Sequence, residues 1–163
     1  MFKRVENNIT EQVLAYFYDS GAIIMKESTI RDIIIESSNG IIEKIGAEQV
    51  SDDSYMLLEN PLFSRRINYG TVVNALPNDK GELILVRIVR VSQYKTRKFL
   101  LTPYAKDIDF SKRIGDPIIA VGGSWEVAMG GVAFIHIPKE SGFDLDLLFK
   151  ENDFYPTEIT EES

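Results

Sequence analysis

From Thr71 to Val91 the chain reads TVVNALPNDKGELILVRIVRV, two apolar runs around Pro77-Asn78-Asp79-Lys80-Gly81. Proline, asparagine, aspartate and glycine clustered between apolar runs turn a chain back on itself, so this stretch predicts a strand over 71–76 and a return strand over 82–91. The return strand constrains the fold most. Ile84, Val86 and Ile88 alternate with Leu83, Leu85, Val89 and Val91. A strand apolar on both faces belongs between layers or in the wall of a barrel. Arg87 and Arg90 interrupt opposite faces near its end, and Lys95, Arg97 and Lys98 follow before Phe99-Leu100-Leu101. The basic residues are therefore expected at a rim, where the chain leaves the core.

The flanking segments fill in an α+β fold. Residues 10–20, TEQVLAYFYDS, offer a threonine cap and apolar positions at helical spacing, which predicts a helix. The alternative is a strand pair turning at Asp19-Ser20-Gly21, since Tyr16, Phe17 and Tyr18 also favour strand. Ser37-Ser38-Asn39-Gly40 separates Thr29–Glu36 from Ile41–Ile45 by a turn. Short strands are expected at Tyr55–Leu58, Ile118–Val121, Trp125–Met129 and Val132–Ile137, with Gly122-Gly123 and Gly130-Gly131 as hairpin turns. A last helix is expected from about Gly142 to Glu151, opened by Ser141 with Asp144 in a capping box and burying Phe143, Leu147 and Leu148. The expected architecture is a central, mostly antiparallel sheet or small barrel with helices near both chain ends.

At 163 residues, 44% hydrophobic and 26% charged, the chain is long enough to bury a core without staples. It reads as one domain over residues 1–156 with an acidic, frayed tail at 157–163. Having no cysteine, it forms no disulfide scaffold, thiol nucleophile or thiolate metal site. Apolar runs such as Ile33–Ile35 are too short to span a bilayer and no apolar leader follows MFKRVENN, so a cytoplasmic protein is expected. The net charge of −7 is uneven: the middle of the chain, residues 64–138, carries 11 basic and 6 acidic groups, and both ends are acidic. Most of such a surface repels polyanions, which disfavours nucleic acid and favours a basic partner.

The run from Ile42 to about residue 102 resembles a family of small bacterial domains of unknown function. The matching positions are Tyr55, Pro61, Phe63 and Gly70-Thr71-Val72-Val73. Where the family pattern has an acidic residue this chain has Thr71, and where it has a small polar stretch with histidine this chain has Ser92-Gln93-Tyr94-Lys95-Thr96. The resemblance implies a fold and carries no activity.

Candidate chemistry is sparse. His136, the one histidine, alternates with Phe134 and Val132, and no neighbour in sequence supplies a ligand set or an orienting partner, which predicts a structural or surface role. The pairs Asp107/Asp109 and Asp144/Asp146 lack the loop of a calcium site, and acids near a helix start are favoured without any metal. The paired glycines match no phosphate-binding pattern. No metal and no cofactor are expected.

Three functional readings follow. In the first, the chain is a cytosolic bacterial protein that binds and neutralises a basic partner protein, as toxin-immunity proteins do. Asp144, Asp146, Glu151 and Asp153 would steer the partner, and Phe149 and Tyr155 would anchor it. In the second, Arg87, Arg90, Lys95, Arg97 and Lys98 form an anion-binding strip on a small barrel for nucleic acid or a nucleotide. In the third, an enzyme site is built from Glu126, His136 and Asp116. Oligomeric state is not legible in the sequence.

Overall fold

A computed structural model describes residues 13–17, 23–27, 29–64, 66–101, 111–128 and 130–160, the first two stretches by backbone alone. The expected helix over 10–20 is not formed in its described part. Val13–Phe17 is a strand (β1) paired antiparallel with Ile23–Glu27 (β2). The β-formers of this segment prevail over its helical spacing, as the strand-pair alternative required.

Five strands close a barrel: β3 (Ile30–Glu36), β4 (Ile42–Ser51), β5 (Ser54–Leu57), β6 (Val72–Pro77) and β7 (Leu83–Arg90). Successive strands pair antiparallel, and β7 shuts the ring by running parallel to β3 at Ile33–Leu83 and Ile34–Ile84. The turn before β7 forms as its residues dictate. The Asn78 side chain accepts from the amides of Lys80 and Glu82, each at 2.9 Å, and Gly81 adopts φ +77°. The barrel interior holds Ile33, Ile35, Ile45, Ala47, Tyr55, Leu57, Ile67, Val73 and Ala75, with Leu83 and Leu85 packed against them. Side chains alternating inward from the strands can fill the interior of so small a barrel.

β7 departs from the two-sided burial its sequence predicts. Leu83 and Leu85 reach the core, but from Val86 to Val91 the strand is exposed. Its register against β6 skips twice: Ala75 faces Leu85 and Asn74 faces Arg87, leaving Val86 over, and Val73 faces Ile88 while Val72 faces Arg90, leaving Val89 over. Each skip is a β-bulge that resets the alternation, so counting every second residue loses phase after Leu85.

A second sheet has the order β11 (Thr157–Glu158), β8 (Tyr94–Leu100), β10 (Val132–Pro138), β9 (Ser124–Ala128), all antiparallel. Lys95, Arg97 and Lys98 therefore lie within a sheet strand rather than at a barrel rim. β8 is held by β10 on one side and by the short β11 on the other. The expected frayed tail is likewise corrected at its start, because Thr157 and Glu158 pair with Leu100 and Phe99. Residues 161–163 lie outside the described residues.

One face of this sheet packs on a single π-helical turn (Ser111–Gly115), α1 (Asp116–Ala120) and α2 (Leu145–Glu151). Their shared core contains Phe99, Ile114, Ile118, Ala133, Ile135, Ile137, Leu145, Leu148 and Phe149. The strand expected at Ile118–Val121 is instead α1. Asp116-Pro117 supplies an acid and a proline in the first helical turn, and Ile114 and Ile118, four apart, share the buried side. Gly122 then ends this helix at φ +77°, donating to Ile119 at 2.9 Å, so of the two glycine pairs only Gly130-Gly131 makes a hairpin turn, between β9 and β10. α2 begins at Asp144, not Ser141: the Asp144 carboxylate caps the Leu147 amide at 3.0 Å while the Ser141 hydroxyl donates to Pro138. Leu147 accordingly points outward and is half exposed.

Candidate functional site

The C-terminal acids differ in their contacts. Asp144 is committed to capping α2. Phe149 is buried, its ring edge-on to Phe99 at 5.1 Å and to Phe154 at 5.0 Å, and it serves the core rather than a docking surface. Asp146 receives Arg97 Nη1 at 2.9 Å, and Glu158 receives Arg97 Nε at 2.8 Å and Nη2 at 2.7 Å. This fork-shaped pairing, which a lysine would not reproduce, ties β8, α2 and β11 together. The Arg97 bond, aided by the charge of Lys95, holds the Glu158 carboxyl below its usual value of 4.5 against the opposing effect of burial. Arg97 is raised in turn, chiefly by Glu158 and then by Asp146. Glu151, Asp153 and Tyr155 remain exposed, Tyr155 to 75%. Leu147, 50% exposed, joins them on the helix and the turn that follows it.

The proposed anion-binding strip is also divided. Arg97 is neutralised as described, and Lys98 lies over the Phe134 ring at 5.7 Å. Arg87 and Arg90 sit on β7, in the other sheet, and are exposed. Among the described residues no carboxylate lies within ion-pair distance of either.

A third group gathers where the barrel meets the second sheet. In an antiparallel sheet residues directly opposite share a face. The register sets His136 between Ser124 and Thr96, and Phe134 between Glu126 and Lys98. That face is turned away from the helices and receives Tyr69 and Asn60 from the long β5–β6 connection. The Tyr69 ring stacks on His136 with centroids 4.4 Å apart and meets Tyr94 edge-on at 4.9 Å. Glu126 Oε1 accepts the Asn60 amide at 2.8 Å, and the Ser92 hydroxyl donates to the Tyr69 carbonyl at 2.5 Å. The left-handed Gly70 (φ +76°) lets the backbone pass against Tyr94: a Cβ there would lie 2.7 Å from its ring.

His136 is fully buried. Its Nδ1 is 2.9 Å from the Thr96 hydroxyl, while Nε2 has no hydrogen-bond partner and lies 3.6 Å from Glu126 Oε1. Burial pushes the Tyr69 phenol above its usual 10.0, with the nearby Tyr94 adding to the rise and a hydrogen bond with Ser124 working against it. Two of the three suspected enzyme residues, Glu126 and His136, are thus brought together, while Asp116 opens α1 with the helical core. The contribution of Tyr69, Thr96 and Asn60 was missed in the sequence. Strand alternation of Thr96, Glu126 and His136 was the available signal for one half, but nothing local announces that Tyr69 arrives from the barrel.

Among the described residues no three imidazoles or carboxylates converge to hold a metal ion, and Asp107 and Asp109 lie outside them. No described helix is long and apolar enough to cross a membrane. The positions carrying the family resemblance are placed mainly in the barrel: Tyr55, Pro61, Thr71, Val72 and Val73 are buried, and Phe63 is half exposed.

No protein-family model matches the chain, and no curated protein matches it. Among solved structures, a hypothetical protein from Neisseria gonorrhoeae is similar, with a TM-score of 0.49 and 14% identity over 80% of this chain and 92% of that one. The fold is that of an α+β protein that joins a closed five-stranded barrel to a helix-backed sheet.

Proposed function

We propose that this protein works by binding, and that its partner is a basic protein which it neutralises in the bacterial cytosol, in the manner of an immunity protein. The observation that supports this reading best is the exposed Tyr155. A tyrosine exposed to 75%, close in sequence to the exposed carboxylates of Glu151 and Asp153 and to the half-exposed Leu147, has the make-up of an anchor within an acidic rim. The chain's net charge of −7 raises the encounter rate with a basic protein.

The test is affinity capture from the native host with the wild-type chain and with a Glu151→Lys/Asp153→Lys/Tyr155→Ala variant, followed by binding of the purified pair. One basic protein retained by the first and lost by the second, with salt-sensitive association, is the expected result. Capture that is indifferent to the three substitutions, or recovery of nothing, refutes the reading.

A further inference from the structure

The second half of β7 belongs to the barrel and is separate in sequence from the C-terminal acids. Val86, Ile88, Val89 and Val91 are exposed by 53%, 38%, 49% and 64%. Valine and isoleucine are normally chosen for strands because they pack; here half their surface faces solvent in one contiguous stretch. One backbone edge of this stretch is engaged by β6. On the other edge, pairing with β3 stops at Ile84, so among the described residues no strand bonds to the outer edge from Leu85 to Arg90. An open edge flanked by exposed β-branched side chains is the surface to which an extended segment adds as a further strand.

The same stretch limits what that segment can be. Arg87 and Arg90 are exposed and lack a carboxylate partner among the described residues, in a protein with seven more acids than bases. Arg97 shows the contrast, since it engages two carboxylates. A second copy of β7 would bring like-charged arginines together, and the two bulges would break its register. A nucleic-acid strand would find aliphatic side chains and no ring on β7 on which to stack a base. An extended, acidic segment of another protein satisfies the edge amides and carbonyls, the valines and both guanidiniums together. We infer that the open edge of β7 from Leu85 to Arg90 is a docking site for an acidic, extended segment of a partner protein, bound by strand addition.

The inference does not rest on the proposed neutralisation of a basic partner. It concerns another surface, of opposite charge. The probe is a fluorescein-labelled octapeptide alternating valine and glutamate, compared with versions carrying lysine for glutamate or proline for alternate valines. Fluorescence anisotropy and amide chemical shifts of residues 85–91 are the readouts. The glutamate peptide is expected to bind and to shift those amides. Binding should be lost with the proline peptide, which cannot donate to the edge, and weakened roughly tenfold by Arg87→Glu/Arg90→Glu. Val86→Ser/Val89→Ser should weaken it too, and Arg97→Gln in the other sheet should not. Circular dichroism confirms that each variant is folded before it is compared.

Any of five results overturns the inference. The glutamate peptide fails to bind at about 1 mM, a concentration at which even weak strand addition registers. The lysine peptide binds equally well, or the double arginine variant binds as the wild type does. A single-stranded thymidine oligonucleotide competes the peptide off and binds more tightly. A concentration-dependent dimer forms and is abolished by Val89→Pro, which assigns the edge to a second copy of the chain.

Discussion

Replacing Arg97 by methionine keeps an unbranched apolar stem and removes the guanidinium that joins three elements. Two of its bonds reach Glu158 as a fork and one reaches Asp146, at 2.8, 2.7 and 2.9 Å. The carboxylates are only partly shielded, with side-chain exposures of 36% and 74%. Exposed ion pairs contribute about 0.2–1 kcal/mol, so the Glu158 fork belongs near 1 kcal/mol and the Asp146 bond near half that. Loss of the guanidinium from above the Phe99 ring, 5.1 Å away, adds about 0.5 kcal/mol. The expected total is about 2 kcal/mol, or a fall in Tm of about 4–8 °C for a domain of this size. The assay is urea unfolding of Arg97→Met, Glu158→Gln and the double variant. The coupling energy should be about 1 kcal/mol and should shrink in high salt.

Hydrogen exchange adds a local readout, since the Ile159 amide donates to Lys98 at 2.9 Å beside the Glu158 pairing. Its protection should fall in either single variant. The pH dependence has a definite sign as well. Glu158 is lowered in the folded state by Arg97, so its contribution is present above the unfolded carboxyl value and is lost as pH falls through the lower, folded value. Glu158→Gln should therefore flatten the acid limb of the stability profile. A coupling energy indistinguishable from zero, with the full stability loss still seen in Arg97→Met, would mean that the arginine acts through its packing on Phe99. The clamp argument would then be wrong.

Asp144→Ala should destabilise the protein by about 1 kcal/mol, because it removes the acceptor of the Leu147 amide at the start of α2; urea unfolding reads this, and an Asp144→Asn variant should retain most of the cap. Gly70→Ala should destabilise by about 2–3 kcal/mol, since it combines a φ of +76° with a contact of 2.7 Å to the Tyr94 ring; thermal unfolding checks it, and a neutral result would show that the β5–β6 connection can shift freely. Tyr69 should ionise above the usual phenol value of 10.0 in an absorbance titration, because burial raises it. Its contribution to stability is present below the unfolded value of about 10 and declines as pH rises from there towards the folded one. Tyr69→Phe should remove that part of the alkaline decline.

Several elements were legible in the sequence because their causes are local. The Pro77–Gly81 turn, the hairpin strands around it, and the β9–β10 hairpin at Gly130-Gly131 all depend on residues near one another in the chain. The errors share a different origin. The segment around Val13–Phe17 carries both helical spacing and strand-forming residues, and only pairing with β2 decides between them. Ile118–Val121 is apolar enough for a strand, yet the Asp116-Pro117 start and burial of Ile114 with Ile118 make it helical. At the candidate sites, contacts that the sequence does not show engage part of the C-terminal set: Asp144 caps α2, Asp146 pairs with Arg97 and Phe149 packs in the core.

By itself the sequence determined the α+β class, the hairpin at the centre of the chain and the uneven charge, since these follow from turn chemistry, short-range alternation and composition. Tertiary structure alone decided that β7 would close a ring and then leave its valines exposed, that Arg97 would be matched by acids 49 and 61 residues away, and that Tyr69 would cover the histidine. The reason is physical: bulges change side-chain phase without changing composition, and an ion pair or ring stack between distant segments forms only after the backbone has placed its partners within a few ångströms.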